Sequence, residues 1–406
     1  MKTAVVLSGG GAKGAYQIGV WKALRKLHIK YDIVTGTSVG ALNGVLMVQN
    51  SFYKAMSIWK NITYKDVIGE EFESRVANAS ELEVYKEYAK SFVNDGGLDV
   101  TNLENLFGKN IKYWRFNLSK VDYGMITVNL KTLKHKEVLK KDLNKNNIKD
   151  YVIASASCFP AFKAKKIDKN EYIDGGLYDN LPINLAIKMG AERVIAVDLK
   201  APGFKQIVMP KDIEINRIYP RNKINSFLVF DKEENERNIS FGYNDTMKYF
   251  NKLDGNKYTF KKGSLMENYE KYKSAIEDIT KKLSVTDNLV LNAILSFNEI
   301  NNILKEKNFS VLHNNIVEYL GKVYDVDESK IYDMDEYNGI LLYYFEKNGT
   351  VDKLTDKNIG DTKNIVSYIY NLLNCDEINV KKLIKLMLLY KKEFLGALYL
   401  SAIENY

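Results

Sequence analysis

Residues 3–14 read TAVVLSGGGAKG, and residues 33–40 read IVTGTSVG. Each stretch begins with a short apolar run rich in β-branched residues and ends in a turn that contains glycine. Apolar residues at helical spacing follow, over 15–27 after the first turn and over 41–48 after the second. A strand, a tight loop and a helix that occur twice in succession predict parallel strands connected through helices.

The alternation of strands and helices continues to about residue 200. Strand-like runs lie at 124–130 and 193–199, and helical segments lie at 148–155 and 183–189. For residues 1–200 we therefore expect an α/β fold, a three-layer α/β/α core with a mostly parallel sheet and helices on both faces.

The rest of the chain has a different character. All five prolines lie before residue 221, and three of them lie between 201 and 220. We expect a linker or irregular connection over 201–262, followed by a helical C-terminal region of unknown role over 263–406. The helical patterns in that region lie at 269–283, 288–304 and 380–403.

Composition excludes several classes of protein. Of the 406 residues, 46% are hydrophobic and 27% are charged, which is typical of globular proteins and not of fibrous or wholly disordered ones. Two cysteines, Cys158 and Cys375, cannot supply a disulfide framework or a four-cysteine zinc site. The net charge of +8 is too small to require a nucleic acid, and none is expected as a partner.

No apolar run has the pattern of a secretory signal or of a membrane span. Glycines and Lys13 interrupt the first run, and polar residues and glycines interrupt the uncharged stretch 33–53. A cytoplasmic protein is expected, with transient contact with a membrane surface left open. Residues 379–393 fit either a membrane-surface helix or a helix packed on a core, because four lysines share one face and apolar residues occupy the rest.

Residues 36–40, GTSVG, fit the GxSxG pattern. In this pattern glycines flank a residue in a sharp strand-to-helix turn, which exposes the serine hydroxyl. The pattern follows a predicted strand and begins a predicted helix, as the mechanism requires. Ser38 is therefore the candidate nucleophile, and Gly36, Val39 and Gly40 are the candidate elbow around it.

The loop 9–14, GGGAKG, has two interpretations. Gly9, Gly11 and Gly14 satisfy the GxGxxG fingerprint of dinucleotide-binding proteins, but Asp32, at the spacing of the usual acidic partner, precedes the second strand instead of ending it. The other interpretation is an oxyanion hole made of backbone amides. The position of Ser38 at the end of the next strand favours the oxyanion hole.

A base for Ser38 is not evident from the residues alone. Asp174 precedes Gly175 and Gly176 in a glycine-rich turn, where an aspartate usually caps the local backbone. Of the three histidines, only His313 follows in the order serine, aspartate, histidine, and it lies in the predicted helical region. His313 is expected to be a surface or packing residue.

The motifs GGGAKG, GTSVG and DGG in this order, with ASASCFPAF at 154–162 and with Asn180 and Pro182 after DGG, resemble the patatin-like phospholipase family over residues 3–200. The resemblance implies a dyad in which Ser38 is the nucleophile and Asp174 the base, without histidine. It also implies that Gly175 and Gly176 support the base. The implied oxyanion hole is Gly9, Gly10, Gly11, Lys13 and Gly14, with lysine at position 13 where the family often has arginine.

The expected function is that of a serine lipid acyl hydrolase, a phospholipase A or lysophospholipase that needs no metal and no cofactor. Its substrate would be a phospholipid or another acyl-ester lipid, and the sequence does not indicate a protein partner or activator. Two alternatives stay open: a non-catalytic lipid- or partner-binding protein on the same fold, and a nucleotide-binding oxidoreductase built on the loop 9–14.

Overall fold

A computed structural model of the chain describes residues 1–76, 79–208, 212–284, 309–375 and 379–405. The helix predicted over 288–304 lies outside these described residues. The chain divides into two compact units, Met1–Tyr249 and Phe250–Tyr406.

The first unit contains an eight-stranded sheet in the order β5-β6-β3-β2-β1-β7-β8, with β4 also paired to β3. From β3 to β8 through β2, β1 and β7, all neighbours are parallel, whereas β4, β5 and β6 pair antiparallel. The prediction of a mostly parallel sheet is confirmed. The strands are β1 (Thr3–Leu7), β2 (Ile33–Thr37), β3 (Asp122–Asn129), β4 (His135–Leu139), β5 (Lys165–Ile167), β6 (Asn170–Asp174), β7 (Arg193–Val197) and β8 (Glu214–Ile218).

Helices cover both faces of this sheet. They are α1 (Gly14–Lys26), α2 (Val39–Val48), α3 (Phe52–Asn61), α4 (Tyr64–Val67), α5 (Glu70–Val76), α6 (Glu81–Asp95), α7 (Thr101–Asn110), α8 (Tyr113–Leu118), α9 (Ile148–Ser155), α10 (Ile183–Lys188) and α11 (Lys232–Tyr249). In β2, Ile33 belongs to the apolar cluster under α10, whereas Val34 lies beneath Gly44 of α2. Successive strand residues point to opposite faces, so α2 and α10 lie on opposite sides of the sheet.

The structure differs from the expected irregular connection over 201–262. Strand β8 pairs in parallel with β7, and α11 packs along α1, where the Tyr16 hydroxyl donates to the Asp245 carboxylate at 3.0 Å. Proline constrains the backbone only at its own position and at the residue before it, so the short segment between Pro210 and Pro220 can still form an edge strand. Residues up to Tyr249 therefore belong to the first unit.

The second unit is mainly helical and has a three-stranded sheet in the order β11-β10-β9. Its strands are β9 (Leu253–Asp254), β10 (Thr259–Lys261) and β11 (Ile331–Tyr332), and its described helices are α12 (Ser264–Ser284), α13 (Phe309–Val323), α14 (Met334–Asn348), α15 (Thr362–Leu373), α16 (Val380–Leu389) and α17 (Lys391–Glu404). The single helix predicted over 380–403 is thus two helices. They meet at Tyr390, whose φ of −131° and ψ of 55° are not helical.

His313 is buried in the second unit, as expected for a packing residue. Its Nε2 atom lies 2.8 Å from the side-chain nitrogen of Asn268, which also donates to the Tyr399 hydroxyl. Burial lowers the pKa of His313 to about 4, so the ring is neutral near pH 7. Within the described parts of the chain, no helix is both long and apolar enough to cross a membrane.

Candidate active site

Ser38 is the single residue between the end of β2 and the start of α2. Its φ of 56° and ψ of −129° are sparsely populated by residues other than glycine, so the surrounding structure must hold the turn. The Ser38 N–H donates to Ser155 Oγ at 3.0 Å, and the Ser155 hydroxyl donates to the Ile126 carbonyl at 2.7 Å. These buried hydrogen bonds fix the Ser38 backbone against β3.

Gly40 lets the start of α2 approach the end of β1. A Cβ atom at this position would lie only 2.3 Å from the Leu7 carbonyl oxygen. Because any side chain there would separate the two elements, the second glycine of GTSVG brings Ser38 next to the loop that follows β1.

Gly10 and Gly11 in that loop line the same cavity as Ser38. Gly11 has a φ of +52°, and a Cβ atom there would lie 2.0 Å from the Phe227 carbonyl oxygen, which accepts the Ala12 N–H at 2.9 Å. Across the described ranges, the amides of Gly10 and Gly11 have no hydrogen-bond acceptor. Both amides are therefore available to an oxygen bound in the cavity.

The other members of the predicted oxyanion hole have amides that are already paired. The Gly9 N–H donates to the Asn180 carbonyl at 3.0 Å, the Lys13 N–H donates to the Gly10 carbonyl at 3.1 Å, and the Gly14 N–H donates to the Gly11 carbonyl. The Lys13 side chain is half-buried. Burial lowers the pKa of its ammonium group, and the charge of Glu81 partly offsets this shift. Lys13 is not part of the cavity wall.

Asp174 ends β6, which runs antiparallel to β3, and its side chain lies in the cavity with Ser38. The Ser38 and Asp174 side chains line the same cavity, and the Gly176 N–H donates to Asp174 Oδ1 at 2.7 Å. Burial raises the pKa of Asp174 to about 6, and the nearby Ser38 hydroxyl and Gly176 amide oppose this shift. The backbone of Gly175 accepts from Tyr178 and Asp179 and closes the turn below the carboxylate.

No histidine lines this cavity within the described residues. His135, on β4, stacks on the Tyr178 ring with the ring centroids 3.7 Å apart. Cys158 does line the cavity, but burial and the nearby charge of Asp174 raise the pKa of its thiol to about 12. Cys158 is therefore protonated near pH 7 and a poor nucleophile.

The cavity has a volume of about 210 Å³ and a mostly apolar wall. The side chains of its wall come from helices and loops of the first unit, among them Leu42, Trp59, Ile62, Phe107, Phe162 and Phe230. A hydroxyl, a carboxylate and two free amides in an otherwise apolar cavity suit an ester with a hydrocarbon chain.

Asp32 does not lie where a dinucleotide site would need it. Its carboxylate accepts the Thr3 N–H at 2.9 Å, at the amino end of β1, whereas the loop 9–14 follows the carboxyl end of that strand. A ribose-binding carboxylate belongs at the carboxyl end of the second strand, beside the glycine loop. The geometry disfavours the dinucleotide interpretation of GGGAKG.

Sequence reasoning missed the supporting roles of Ser155 and Asn180. The Asn180 carbonyl accepts the Gly9 N–H, and the Asn180 side-chain amide donates to the Pro202 carbonyl at 3.2 Å. The only signal for either residue was its place in a motif, ASASCFPAF for Ser155 and the segment after DGG for Asn180. In the described ranges, no three histidine, cysteine, aspartate or glutamate residues are grouped as a metal site would need.

Comparison with known proteins identifies similar sequences for the first half of the chain. The family model described as patatin-like phospholipase matches residues 5–187. Patatin-like phospholipase domain-containing protein 7 of Rattus norvegicus is 30% identical over 199 residues, 48% of this chain and 13% of the relative. Lysophospholipase NTE1 of Mycosarcoma maydis is 27% identical over 218 residues, 49% of this chain and 10% of the relative.

The chain thus covers only a small part of the length of these relatives. Among solved structures, VipD from Legionella pneumophila matches with a TM-score of 0.41 and 12% identity, over 99% of this chain and 91% of that one. A likeness at that level carries no argument about this chain.

Proposed function

Because residues 5–187 are a patatin-like phospholipase domain, we propose that the chain is a serine lipid acyl hydrolase that cleaves fatty-acyl esters through a Ser38–Asp174 dyad. One observation carries the proposal. The Ser38 hydroxyl lies beside the buried Asp174 carboxylate in an apolar cavity. A serine needs such a base to become a useful nucleophile.

In the first step Asp174 accepts the proton of Ser38 Oγ as this oxygen attacks the ester carbonyl. An aspartate with an ordinary pKa of about 3.9 is a weak base near pH 7. The pKa of about 6 makes Asp174 a stronger base while leaving it mostly ionised at neutral pH.

Negative charge then develops on the carbonyl oxygen of the tetrahedral intermediate. The unpaired amides of Gly10 and Gly11 are the donors we assign to this oxygen. The amino terminus of α2, which begins at Val39, adds the positive end of a helix dipole beside Ser38.

Collapse of the intermediate breaks the bond to the leaving alcohol, which takes the proton from Asp174. The fatty acid remains esterified to Ser38. Asp174, ionised again, accepts a proton from a water molecule that attacks the acyl carbonyl, and it returns the proton to Ser38 Oγ as the fatty acid leaves. Each proton taken up by the carboxylate is released within the cycle.

The apolar wall of the cavity is the part of the site that suits the acyl chain of a phospholipid or lysophospholipid. The name of the Mycosarcoma maydis relative, a lysophospholipase, is consistent with this class of substrate. A cytoplasmic location and transient contact with a membrane belong to the same proposal, and fractionation of cells that express the chain tests both.

The proposal is tested by labelling with a fluorophosphonate, read as intact mass, together with fatty-acid release from mixed phospholipid and lysophospholipid vesicles. The wild-type chain should gain one adduct and release fatty acid, whereas Ser38→Ala should do neither. Ser74→Ala, which alters an exposed serine of α5, is the control and should behave as the wild type.

A folded wild-type chain that neither labels nor releases fatty acid would contradict the proposal. That outcome would favour a non-catalytic lipid-binding protein on the same fold. Titration with a flavin or a nicotinamide dinucleotide in the same preparation tests the oxidoreductase alternative.

A further inference from the structure

The segment 198–207, called here the rim loop, follows β7 at the carboxyl edge of the sheet and borders the cavity. Its residues Ala201, Pro202 and Gly203 line the cavity. The next apolar side chains point outward instead: Phe204 is 67% exposed and Ile207 is 84% exposed. The rim loop thus presents two large apolar side chains to solvent and supplies three residues to the cavity wall.

Hydrogen bonds anchor the rim loop to the turn that holds Asp174. The Phe204 N–H donates to the Gly176 carbonyl at 2.9 Å, and the Asn180 N–H donates to the Phe204 carbonyl at 2.5 Å. The Gln206 side chain donates to the Tyr178 carbonyl at 2.9 Å. These hydrogen bonds fix the backbone of Phe204, whose side chain is exposed to solvent.

Leu177 continues this apolar surface into the cavity. It belongs to the cavity wall and is also 47% exposed, and it is next to Gly176, to which Phe204 is bonded. Leu177 and Phe204 thus lie on bonded segments beside the cavity proposed to take an acyl chain, and Ile207 is a further exposed apolar side chain of the rim loop.

The charges beside this surface are also suited to a layer of phosphate headgroups. The buried Asp198 carboxylate accepts from Lys205 Nζ at 2.8 Å, and Lys200 Nζ lies 3.6 Å from it. Two lysines against one aspartate leave one positive charge on the rim loop. Apolar side chains surrounded by amphipathic or basic residues are typical of surfaces that lie in the interface of a bilayer.

We propose that Leu177, Phe204 and Ile207 dock the cavity mouth onto the surface of a phospholipid bilayer, an inference that rests on the proposed acyl hydrolase function. Docking in this orientation lets an acyl chain pass from the bilayer into the cavity without crossing water. Because only one net charge accompanies the apolar contact, binding persists at about 0.5 M salt, where exposed charges are strongly screened.

The test compares two substrates in the Phe204→Ser/Ile207→Ser double variant. One is a water-soluble short-chain ester below its aggregation limit, and the other is phosphatidylcholine in vesicles. Neither side chain lines the cavity, so turnover of the soluble ester should stay within about twofold of the wild type. Release of fatty acid from vesicles should fall about tenfold or more, because the chain no longer docks.

Leu118→Ser is the matched control. Leu118 is 74% exposed, between the values for Phe204 and Ile207, and it ends α8 ahead of the amino end of β3, at the opposite edge of the sheet. Its activity on both substrates should equal that of the wild type. A double variant that equals the control on vesicles, or that loses both activities in equal proportion, would overturn the docking proposal.

Sedimentation with phosphatidylcholine vesicles measures docking without turnover. In a Ser38→Ala background, adding Phe204→Ser and Ile207→Ser should lower the vesicle-bound fraction about tenfold, at low salt and at about 0.5 M salt. An unchanged bound fraction would overturn the docking proposal, whatever activity the double variant has on vesicles. Failure of the wild type to hydrolyse the soluble ester would instead overturn the proposed function.

Discussion

The loops that follow β1 and β2 lie side by side. The first loop offers backbone amides to the cavity, whereas the second offers a side chain. Leu7 pairs with Gly36, so the two parallel strands end at the same edge of the sheet. After β1 the proposed oxyanion donors are backbone amides, and the residue with positive φ before Ala12 is a glycine, Gly11. After β2 the proposed nucleophile is a side chain, and the residue with positive φ is Ser38 itself.

The difference shows where glycine is needed in each loop. A backbone amide is most accessible when its own residue has no side chain, so the glycines of the first loop are the candidate donors. A nucleophilic side chain cannot come from glycine, so in the second loop Ser38 takes the unusual backbone conformation. Gly40, two residues later, provides the close approach to β1 instead.

The largest expected effect comes from removing Asp174, the proposed base for Ser38. Asp174→Asn keeps an oxygen that can accept from Gly176 but cannot take the proton of Ser38. We expect kcat/KM to fall about 10³-fold, the scale of general base catalysis. Steady-state hydrolysis of a soluble ester measures this.

Asp179→Asn is the control for that variant. Asp179 is also buried with its pKa raised to about 6 by burial, but its carboxylate accepts from the amides of Leu181 and Gln206 and does not line the cavity. Its activity should stay within about twofold of the wild type. Equal losses in both variants would mean that Asp174 acts only through the fold.

The burial of Asp174 predicts that Asp174→Asn, which lowers activity, raises the thermal stability of the chain. The pKa of Asp174 is about 6 in the native state against an ordinary 3.8, so the native state holds its proton more tightly than the unfolded state. This contribution to stability is present below about pH 4 and is lost as the pH rises through about 6. Asp174→Asn should therefore unfold at a higher temperature than the wild type at about pH 8, with the gain vanishing below about pH 4.

The first loop is tested by Gly11→Ala. The added Cβ atom would lie 2.0 Å from the Phe227 carbonyl, and a φ of +52° is strained for alanine, so the loop must move. Loss of an oxyanion donor should lower kcat about 10²-fold. Labelling of Ser38 by a small fluorophosphonate at saturating concentration reports whether the nucleophile itself is intact.

Gly96→Ala is a control for the strain alone. Gly96 also has a positive φ, 69°, but a Cβ atom there meets nothing within 4 Å. This variant should lose some thermal stability and keep its activity. Normal turnover in Gly11→Ala would mean that the first loop does not hold the oxyanion.

The smallest effect is expected for Ser155→Ala, which removes the acceptor of the Ser38 N–H. The buried amide would lose its partner, at a cost of about 1–3 kcal/mol in stability. The turn should hold Ser38 less firmly, so kcat should fall about tenfold with little change in KM. An unaltered kcat would show that Gly40 and the strand ends suffice to position the nucleophile.

Local patterns were sufficient to predict much of the first unit. The sequence predicts a helix over 148–155, which is α9, and it predicts a strand before the first glycine loop and another before the turn of GTSVG, which are β1 and β2. Strand and helix propensities act over a few neighbouring residues, so a sequence pattern records them directly.

Features that depend on distant residues could not be read in this way. Ser38 and Ser155 are bonded across 117 positions, and Gly9 is paired with Asn180. The break at Tyr390 has no proline or glycine to mark it. The parallel pairing of β8 with β7 likewise depends on tertiary structure.

The central claim is that Asp174 activates Ser38, and the pH dependence of fluorophosphonate labelling tests it most directly. The rate of adduct formation at Ser38, read by peptide mass, should rise with pH and reach half its maximum near pH 6, where the Asp174 carboxyl loses its proton. In Asp174→Asn the rate should be low and should not follow that transition. A wild-type rate without a transition between about pH 5 and 8, or an equal rate in Asp174→Asn, would contradict the account.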